Sequence, residues 1–294
     1  MRYEAMSRLT DQYSVRKMAK VLGVKDSAFY QWRRRQKQNA EKQASQELLV
    51  KAVRSVFDES RQTYGYRNMT KALAGKGIVL SEYRVRHIMR SNGMYPVTAA
   101  KFRPARSGKA DGRYLDNLFN QDFKTTRLNQ KWAGDITYIK TGLGWVYLAT
   151  IIDLHNREIV GYDISKKMDA ELVCRALSYA LTRRDITDKD DLIFHSDRGC
   201  QYASLRFQTM LEANGVTGSM SRPGCPYDNA VAEHFFSTAK RECIYRMDFS
   251  DITEVRRILF DYIEVFYNRT RAQACLGHVS PINYAAGAVT QKAA

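Results

Sequence analysis

Three acidic side chains lie at positions where the local sequence provides little structural reason for a carboxylate. Asp135 falls within the apolar, β-branched and aromatic run 132–139, where a strand disfavours aspartate. Asp197 follows the mostly apolar run 191–195, and Glu233 lies in a segment without glycine or proline. Each acid alone is also consistent with a solvated carboxylate at the end of an element. Three together supply the hard oxygen ligands that Mg²⁺ prefers over nitrogen or sulfur.

Local patterns predict the elements that carry these acids. The run 191–195, bounded by turn-formers, predicts a buried strand with Asp197 at its C-terminal tip, where α/β sheets place their chemistry. Residues 229–243 predict a helix, which the turn-like residues 223–226 precede and for which Asp228 is the expected N-cap. The two elements would bring a strand-end acid and a helical acid into one region.

The predicted helix has a polar stripe. Glu233, Ser237 and Lys240 follow i, i+4, i+7 spacing and share one face. Apolar surface lies to either side of this stripe and is supplied by Phe235, Phe236 and Ala239. Lys240 is therefore expected to contact a phosphate group, the alternative being a surface salt bridge.

For two further polar residues, His195 and Asp153, a structural role is one interpretation. His195 lies two residues before Asp197, so strand alternation points both to the same face. It either hydrogen-bonds a carboxylate or is a satisfied structural histidine. Asp153, at the end of a predicted strand, is expected to cap a turn and not to bind metal.

The acids and their surroundings resemble a known family of enzymes. Asp135, Asp197 and Glu233, with thirty-five residues between the last two, resemble the acidic triad of the DDE transposases and retroviral integrases. The strings WAGDITYI, HSDRGCQYAS and SRPGCPYDNAVAEHFFSTAKRE are similar to those of the insertion-sequence-three family of bacterial transposases. This resemblance extends over nearly all of the chain. It implies an α/β ribonuclease H-like catalytic domain, with a mixed five-stranded sheet and helices, preceded by all-α helix-turn-helix modules.

The resemblance also implies an activity and a cofactor. A DNA transposase of this class cleaves at the ends of a mobile element and joins the 3′-hydroxyl to target DNA by two-metal-ion transesterification. Two Mg²⁺ ions, for which Mn²⁺ substitutes, would lie about 3.5–4 Å apart. Asp135 would bind both ions, and Asp197 and Glu233 one each. The alternatives are a structure-selective nuclease on the same fold and a DNA-binding regulator with an inactive catalytic domain.

Composition excludes several other classes. The 294 residues contain no apolar run of about 18 residues, and the N-terminus has no apolar h-region, so we expect a protein that is not secreted by that route and has no membrane partner. Five cysteines, an odd number and never spaced CxxC, argue against both a disulfide framework and a zinc site. With the resemblance, these features predict a bacterial cytoplasmic, nucleoid-associated protein.

The positive charge is concentrated in one part of the chain. Residues 1–110 contain 24 Lys and Arg against 8 Asp and Glu, which accounts for the whole net charge of +16. Residues 111–294 contain 23 against 23. A solvated basic face would also have this composition, but the distribution favours an N-terminal region that binds polyphosphate.

The first N-terminal unit, residues 1–45, has a helix-turn-helix pattern. Helices are predicted over 14–22 and 28–35 about Gly23, with Asp26 or Ser27 as the second N-cap. The second helix would offer a DNA groove four side chains, Tyr30, Gln31, Arg33 and Arg34. Phe29 and Trp32 would pack on the first helix. A plain αα-hairpin with a basic face is the alternative, and the polar stretch after it is an exposed helix or a linker.

A second unit, residues 46–96, resembles the helix-turn-helix-like module that precedes the catalytic domain in this family. An apolar stripe is predicted at Leu48, Leu49, Ala52, Val53 and Val56, followed by helices over 68–74 and 81–92. The last helix would present Arg84, Arg86 and Arg90 to DNA. Residues 97–128 then read as a basic linker, which either tracks DNA or is only flexible.

The catalytic core is predicted over 129–250. Strands over 131–140, 145–153 and 157–164 form an antiparallel meander, and the remaining pattern is a helix over 169–184, the Asp197 strand, a helix over 205–214, a strand near 216–220 and the Glu233 helix. Residues 251–294 form a C-terminal helix and tail, with Asp251 and Glu254 as a capping box. The string TRAQACLGHVSPINY departs from the family pattern, which puts a DNA role for Arg269 and Arg271 in doubt.

The resemblance implies three partners. The first is double-stranded DNA, both the terminal inverted repeats of the element and the target. The second is another copy of the chain, in a homo-oligomer that is at least a dimer on DNA. The third is an upstream-frame protein, and whether the chain acts alone or as a frameshift fusion with it stays open.

Overall fold

The computed structural model describes residues 1–97, 114–187 and 191–292. The N-terminal region contains five helices, α1 Arg2–Arg8, α2 Val15–Leu22, α3 Asp26–Glu59, α4 Tyr66–Gly75 and α5 Glu82–Ser91. Both predicted helix pairs are present, and Ser81 caps α5 by accepting a hydrogen bond from the Arg84 amide. The capping expected of Asp26 or Ser27 is wrong, because α3 begins directly after Lys25 without a side-chain cap.

Helix α3 joins the two N-terminal units. It spans 34 residues without a break and carries the polar stretch 36–45 as an exposed helix, one of the two predicted forms. In the first unit Phe29 is buried against α1 and α2, and Trp32 stacks on it with ring centroids 6.0 Å apart. Leu48, predicted in the apolar stripe of the second unit, is 66% exposed and does not join that core.

The catalytic domain is built on a mixed five-stranded sheet. The strands are β1 Lys131–Thr141, β2 Gly144–Asp153, β3 Ile159–Ser165, β4 Ile193–Ser196 and β5 Thr217–Met220. Their order across the sheet is β3-β2-β1-β4-β5. Strands β1, β2 and β3 pair antiparallel, whereas β4 is parallel to β1 and β5 is parallel to β4. The predicted meander and the mixed sheet are confirmed.

Helices cover the two faces of this sheet. They are α6 Ala170–Arg184, α7 Leu205–Ala213, α8 Ala230–Glu242 and α9 Ile252–Phe260, after which the chain continues as a π-helix, Asp261–Tyr267, and later α10 Pro281–Lys292. One core holds α6 and α7 against the sheet, and the other holds α8, α9 and the π-helix. Alternating strand residues supply both cores because successive side chains point to opposite faces.

The segment 114–128, predicted as the end of the basic linker, belongs to the catalytic domain. Phe119 is buried and stacks on His195 with 4.4 Å between ring centroids. The Met220 amide donates to the Asp116 carbonyl at 3.2 Å, and the Leu118 amide donates to Ser219 Oγ at 2.9 Å. The linker prediction is therefore wrong for this segment, and residues 98–113 lie outside the described part of the chain.

The C-terminal segment packs against the second N-terminal unit and is more than a tail. The Tyr64 hydroxyl donates to the Thr270 carbonyl at 3.1 Å and accepts from the Ala272 amide at 2.9 Å. His278 Nδ1 and Asn68 Oδ1 are hydrogen-bonded across the same boundary. Within residues 1–97, 114–187 and 191–292, no helix combines the length and the apolar character needed to cross a membrane.

Candidate active site

Strand register places two of the predicted acids side by side. Strands β1 and β4 pair in parallel, with Gly134 opposite Ser196 as the last matched positions. Asp135 and Asp197 each follow one of these matched residues along the chain. They therefore lie next to each other just beyond the paired part of β1 and β4. The prediction that Asp197 lies at the C-terminal tip of its strand is confirmed, since β4 ends at Ser196.

The strand pair approaches closely at this point. A Cβ at Gly134 would lie 2.4 Å from the Phe194 ring, a separation that real side chains do not adopt. The Asn229 side-chain amide donates to the Gly134 carbonyl at 3.1 Å. Asn229 is the residue directly before α8, so this bond ties the start of α8 to β1 beside Asp135. Glu233 follows one helical turn later.

The face of α8 that carries Glu233 has the predicted composition. Glu233 and Ser237 are exposed, and Lys240 is half-buried. The flanking apolar side chains, Phe235, Phe236 and Ala239, are all buried. A carboxylate and a cation thus lie along one accessible stripe, as predicted.

Asp228 does not cap α8, so that prediction is wrong. It is fully buried and accepts hydrogen bonds from the Arg222 amide at 2.9 Å and from the Arg222 guanidinium. The side-chain amides of Asn117 and Gln121 also donate to it. These bonds, led by those from Arg222, hold the pKa of Asp228 far below its usual range. Asp228 therefore fixes the loop before α8, a role that local patterns did not indicate.

Each of the three predicted acids has a raised pKa, and the charges of the other acids contribute to it at Asp135 and Glu233. The pKa of Asp135 is raised well above its ordinary value by burial and then by the charges of Asp197 and Glu233. Burial also raises the pKa of Asp197, although the Gly199 amide, 2.9 Å from Asp197 Oδ1, opposes this. Glu233 has a raised pKa because of burial and the Asp197 charge. The fold therefore concentrates negative charge here, and the cation that offsets it at Asp135 is Lys240.

The donor set suits a hard divalent cation. Asp and Glu oxygens are the ligands that Mg²⁺ prefers, and mutual repulsion among carboxylates is relieved by a positive ion between them. In the part of the chain that the structure describes, no three His, Cys, Asp or Glu side chains form a ready-made metal cluster. Ion binding would therefore have to draw these side chains together.

Lys240 is held beside the site by an aromatic ring. Its Nζ lies 5.1 Å from the centroid of the Tyr138 ring, a cation–π contact. Burial lowers the pKa of Lys240, and the charge of Asp135 opposes that shift. Lys240 forms no salt bridge with any described residue. That observation disfavours the surface salt bridge considered for it.

His195 and Asp153 have structural roles. His195 is fully buried, with Nδ1 2.8 Å from Ser219 Oγ and Nε2 3.1 Å from Ser221 Oγ, and burial lowers its pKa to about 4. It is therefore a neutral core histidine. Asp153 accepts from the amides of Asn129 and His155, both at 2.9 Å, which confirms the turn-capping role.

The structure also identifies a neighbour of the site that the sequence did not single out. Tyr202 is buried, and its pKa is raised well above the ordinary value by burial and by the charges of Asp135 and Asp197. Its hydroxyl is thus kept protonated beside the two aspartates. The residue lies in the HSDRGCQYAS string, but spacing alone gave no reason to choose it.

The predicted DNA-binding residues of the N-terminal region are solvent-accessible. The exposed set on α3 and α5 comprises Tyr30, Gln31, Arg33, Arg34, Arg84, Arg86 and Arg90. Arg84 donates to Gln46 Oε1 at 3.0 Å, and the Arg86 guanidinium lies 5.6 Å from the centroid of the Tyr66 ring. These residues lie on α3 and α5, outside the domain that carries the three acids.

Comparison with known proteins agrees with this architecture. Two models described as integrase core domain match residues 125–226 and 233–287, and a model described as HTH-like domain matches residues 43–102. The solved catalytic core of HTLV-2 integrase, in complex with magnesium, is similar over 53% of this chain and 95% of its own, with 15% identity and a TM-score of 0.37. The two integrase core domain matches define the class of the chain as a DDE-type polynucleotidyl transferase.

Full-length relatives identify the family. Transposase InsF for insertion sequence IS3A of Escherichia coli strain K12 is 38% identical over 96% of this chain and 97% of its own length. A 31 kDa protein of insertion element IS600 from Shigella sonnei is 36% identical over 90% of this chain and 96% of its own. The chain belongs to the insertion-sequence-three family of transposases.

Proposed function

We propose that this transposase carries out both chemical steps of transposition. It cleaves DNA at the ends of its mobile element and then joins the exposed 3′-hydroxyl to target DNA by direct transesterification. The observation that carries this proposal is the placement of Asp135 and Asp197 directly after the matched positions Gly134 and Ser196, with Glu233 on a helix tied to the same strand.

In this proposal the three acids hold divalent cations. Asp135 would hold two Mg²⁺ ions, for which Mn²⁺ substitutes, and Asp197 and Glu233 would each hold one. Such ions stabilise the charge that develops on the attacking and leaving oxygens of a phosphodiester. The protein contributes the rigid strand pair that aligns the two aspartates and the Asn229 bond that fixes the start of α8. Lys240, on the same stripe as Glu233, contacts a phosphate of the bound DNA.

Recognition of the element falls to the N-terminal units. Tyr30, Gln31, Arg33 and Arg34 on α3 and Arg84, Arg86 and Arg90 on α5 contact the terminal inverted repeats. Contacts to phosphates set position, whereas contacts to base edges specify sequence. Because two element ends have to be joined in one reaction, the active form is a homo-oligomer, at least a dimer, on DNA. The upstream-frame protein is a further partner, and the setting is the bacterial cytoplasm at the nucleoid.

A strand-transfer assay tests this function. End-labelled DNA carrying the element's terminal repeats is incubated with the protein, Mg²⁺ and unlabelled target DNA, and products are separated on a denaturing gel. We expect a nick at the 3′ end and a longer joined strand. Cleavage without joining would indicate a structure-selective nuclease, and binding without either product would indicate a regulator. Glu212→Gln is the matched control for Glu233→Gln, since Glu212 is an exposed acid of the same type on α7.

A further inference from the structure

Two large aromatic side chains lie exposed on the hairpin of β1 and β2. Tyr138 is 49% exposed and Trp145 is 52% exposed. In the register of the hairpin Trp145 is opposite Lys140, so Tyr138 and Trp145 lie diagonally on one face. Their rings meet edge to face, with centroids 5.3 Å apart and planes at 84°. Two large rings that stay in water lose the stabilisation that burial would give them. We therefore expect a ligand that covers this surface.

The exposed pair continues towards the acids. Lys240 Nζ lies over the Tyr138 ring, and the charge of Asp135 acts on Lys240. Tyr245 is 47% exposed in the turn after α8, and its pKa is raised by partial burial and by the nearby Tyr138. We call Tyr138, Trp145 and Tyr245 the hairpin aromatic patch. It is a group of rings next to a cation at the border of the catalytic stripe.

The edge of β1 beside this patch is not paired with β4. Strand β4 accompanies β1 only from Lys131 to Gly134, so the part of β1 that carries Tyr138 extends past the end of β4. Between Gly134 and the bridge that joins Thr141 to Phe249, no strand in the described residues pairs with this edge of β1. Lys240, whose Nζ lies over the Tyr138 ring and on which the Asp135 charge acts, links this stretch of β1 to the acids.

Rings beside a cation favour unpaired nucleobases as the ligand. Every base has a π-face that stacks on an aromatic side chain, and a lysine beside the rings attracts the backbone phosphate. A protein partner is a weaker match, because lysine is depleted in the cores of protein interfaces. Bases at a DNA end are also those that open most easily, since they have a stacking neighbour on one side only.

We propose that the hairpin aromatic patch stacks bases that unpair next to the cut at the DNA end. The proposal rests on the proposed function, because it takes DNA at the acids as given. Stacking on Trp145 and Tyr138 offsets the loss of base stacking in the duplex, and Lys240 holds the adjoining phosphate. The patch thereby keeps one strand accessible to the acids.

Binding of matched DNA ends tests the proposal. Full-length protein without divalent cation is titrated against two labelled DNAs of the same terminal sequence, one fully paired and one with its last base pairs mismatched. We expect wild-type protein to bind the mismatched end more tightly. Trp145→Ala should weaken binding of the mismatched end by about 5- to 150-fold, the range for losing one aromatic stack, and affect the paired end much less. Trp145→Phe, which keeps a ring, should retain most of the preference.

Two controls make the result decisive. Phe260→Ala removes another aromatic side chain, 55% exposed, from α9 and should leave both affinities unchanged. Tyr138→Leu removes a second ring of the patch and repeats the test if Trp145→Ala proves unstable. The proposal is overturned if both patch variants bind the two DNAs like wild type, or lose both equally. A loss of oligomeric mass in light scattering without loss of the mismatch preference would assign the patch to a protein interface instead.

Failure of this inference can be distinguished from failure of the proposed function. If wild-type protein cleaves and joins while Trp145→Ala retains full preference for mismatched ends, the function holds and the patch has another role. If wild-type protein shows a Trp145-dependent preference but neither cleaves nor joins, the patch binds bases and the catalytic proposal fails.

Discussion

The domain arranges acidic side chains in two opposite ways. Around α6 and the π-helix, Glu158 is buried and accepts from Arg183 at 3.0 Å and Arg184 at 2.7 Å, and Glu264 accepts from Arg183 at 2.6 Å. At the end of β4, by contrast, Asp135, Asp197 and Glu233 form no salt bridge with any residue in the described ranges, and each has a raised pKa, to which the charges of the other acids contribute at Asp135 and Glu233. Carboxylates therefore stabilise the folded chain in the first region and destabilise it in the second.

The difference separates the arginine-paired acids from the acids of the proposed active site. A buried carboxylate needs an arginine or several donors, because an unpaired buried charge is costly. Clustered carboxylates without such partners destabilise the folded chain, and their presence requires another reason. The proposed metal site supplies one. Pairing with arginine can therefore be used to sort the acids of this domain, and the following predictions test that sorting.

The largest expected effect is on catalysis. Asp135→Asn, Asp197→Asn and Glu233→Gln each remove a ligand charge while keeping side-chain volume. Each should reduce strand joining by about 1,000-fold or more, which corresponds to several kcal/mol of lost charge stabilisation. DNA binding should be nearly unchanged. The assay is strand joining in Mg²⁺, and a variant that retains more than about a tenth of wild-type joining would remove its residue from the proposed triad.

The next effect concerns an acid of the paired kind. Glu242 is buried at the end of α8 and accepts two bonds of 2.8 Å from the Nε and Nη2 atoms of Arg271. Arg271→Ala would leave that carboxylate without a cationic partner, with only the Tyr262 hydroxyl donating to it at 2.8 Å, and should lower the free energy of unfolding by about 3–5 kcal/mol. Chemical denaturation measures the loss. Arg246→Ala, which removes an exposed arginine, is the control.

A double substitution at Arg271 and Glu242 tests the same ion pair further. Removing both charges, by combining Arg271→Ala with Glu242→Gln, should recover part of the stability because no buried charge remains. If Arg271→Ala alone cost less than about 1 kcal/mol, the division between paired and unpaired acids would lose its energetic basis.

The pH dependence of stability should differ in sign between the two groups. Raised pKa values at Asp135, Asp197 and Glu233 mean that the folded chain binds more protons than the unfolded chain just above pH 4. Their contribution to stability therefore falls as pH rises from the ordinary carboxyl range towards the folded pKa values. Asp228, with its lowered pKa, contributes stability above pH 4 that is lost on acidification.

Thermal unfolding across pH checks these signs. Asp135→Asn should be more stable than wild type near neutral pH without divalent cation, with the difference shrinking towards pH 4. Mg²⁺ should stabilise wild type, by about 2.7 kcal/mol at a hundredfold excess over its dissociation constant, and the triad variants much less. Equal stabilisation of wild type and Asp135→Asn would argue against metal binding at these acids.

A smaller effect is expected at Lys240. Lys240→Ala should weaken binding of the cleaved DNA end to a similar degree for different sequences, because phosphate contacts carry no base identity. Metal-dependent chemistry should remain measurable. Affinities for end DNA and scrambled DNA provide the test, and a change in sequence preference would reject the phosphate assignment.

The smallest expected effect concerns two cationic side chains, Arg33 and Arg34. Arg33 and Arg34 are exposed and form no salt bridge with any residue in the described ranges. If they neutralise phosphates, changing both to alanine should reduce the slope of log K against log salt by about 1.8, or 0.9 per contact. Replacing Lys76, which pairs with Glu59 at 2.5 Å, should leave the slope nearly unchanged. Titrations at several salt concentrations measure both.

The sequence allowed more to be predicted about strands than about ion pairs. Strand alternation and uninterrupted helical segments predicted all five strands and placed Asp197 at a strand tip, because these patterns repeat within a few residues. The Arg271–Glu242 pair joins residues 29 apart, and the Asn229–Gly134 bond joins residues 95 apart. No local period marks such partners. The same reason applies to two of the partners that hold Asp228 away from the cap position, Asn117 and Gln121, which lie 111 and 107 residues away.

The unbroken helix α3 has a consequence for how DNA contacts are spaced. Its 34 residues span about 51 Å at 1.5 Å per residue, which matches about 15 base pairs of duplex DNA. The exposed middle of the helix fixes both the distance and the rotation between the two N-terminal units. Each residue inserted there would turn the first unit by about 100° relative to the second and move it about 1.5 Å further away. If both units contact an element end as proposed, helical phase as well as length sets the distance between their two patches of contact.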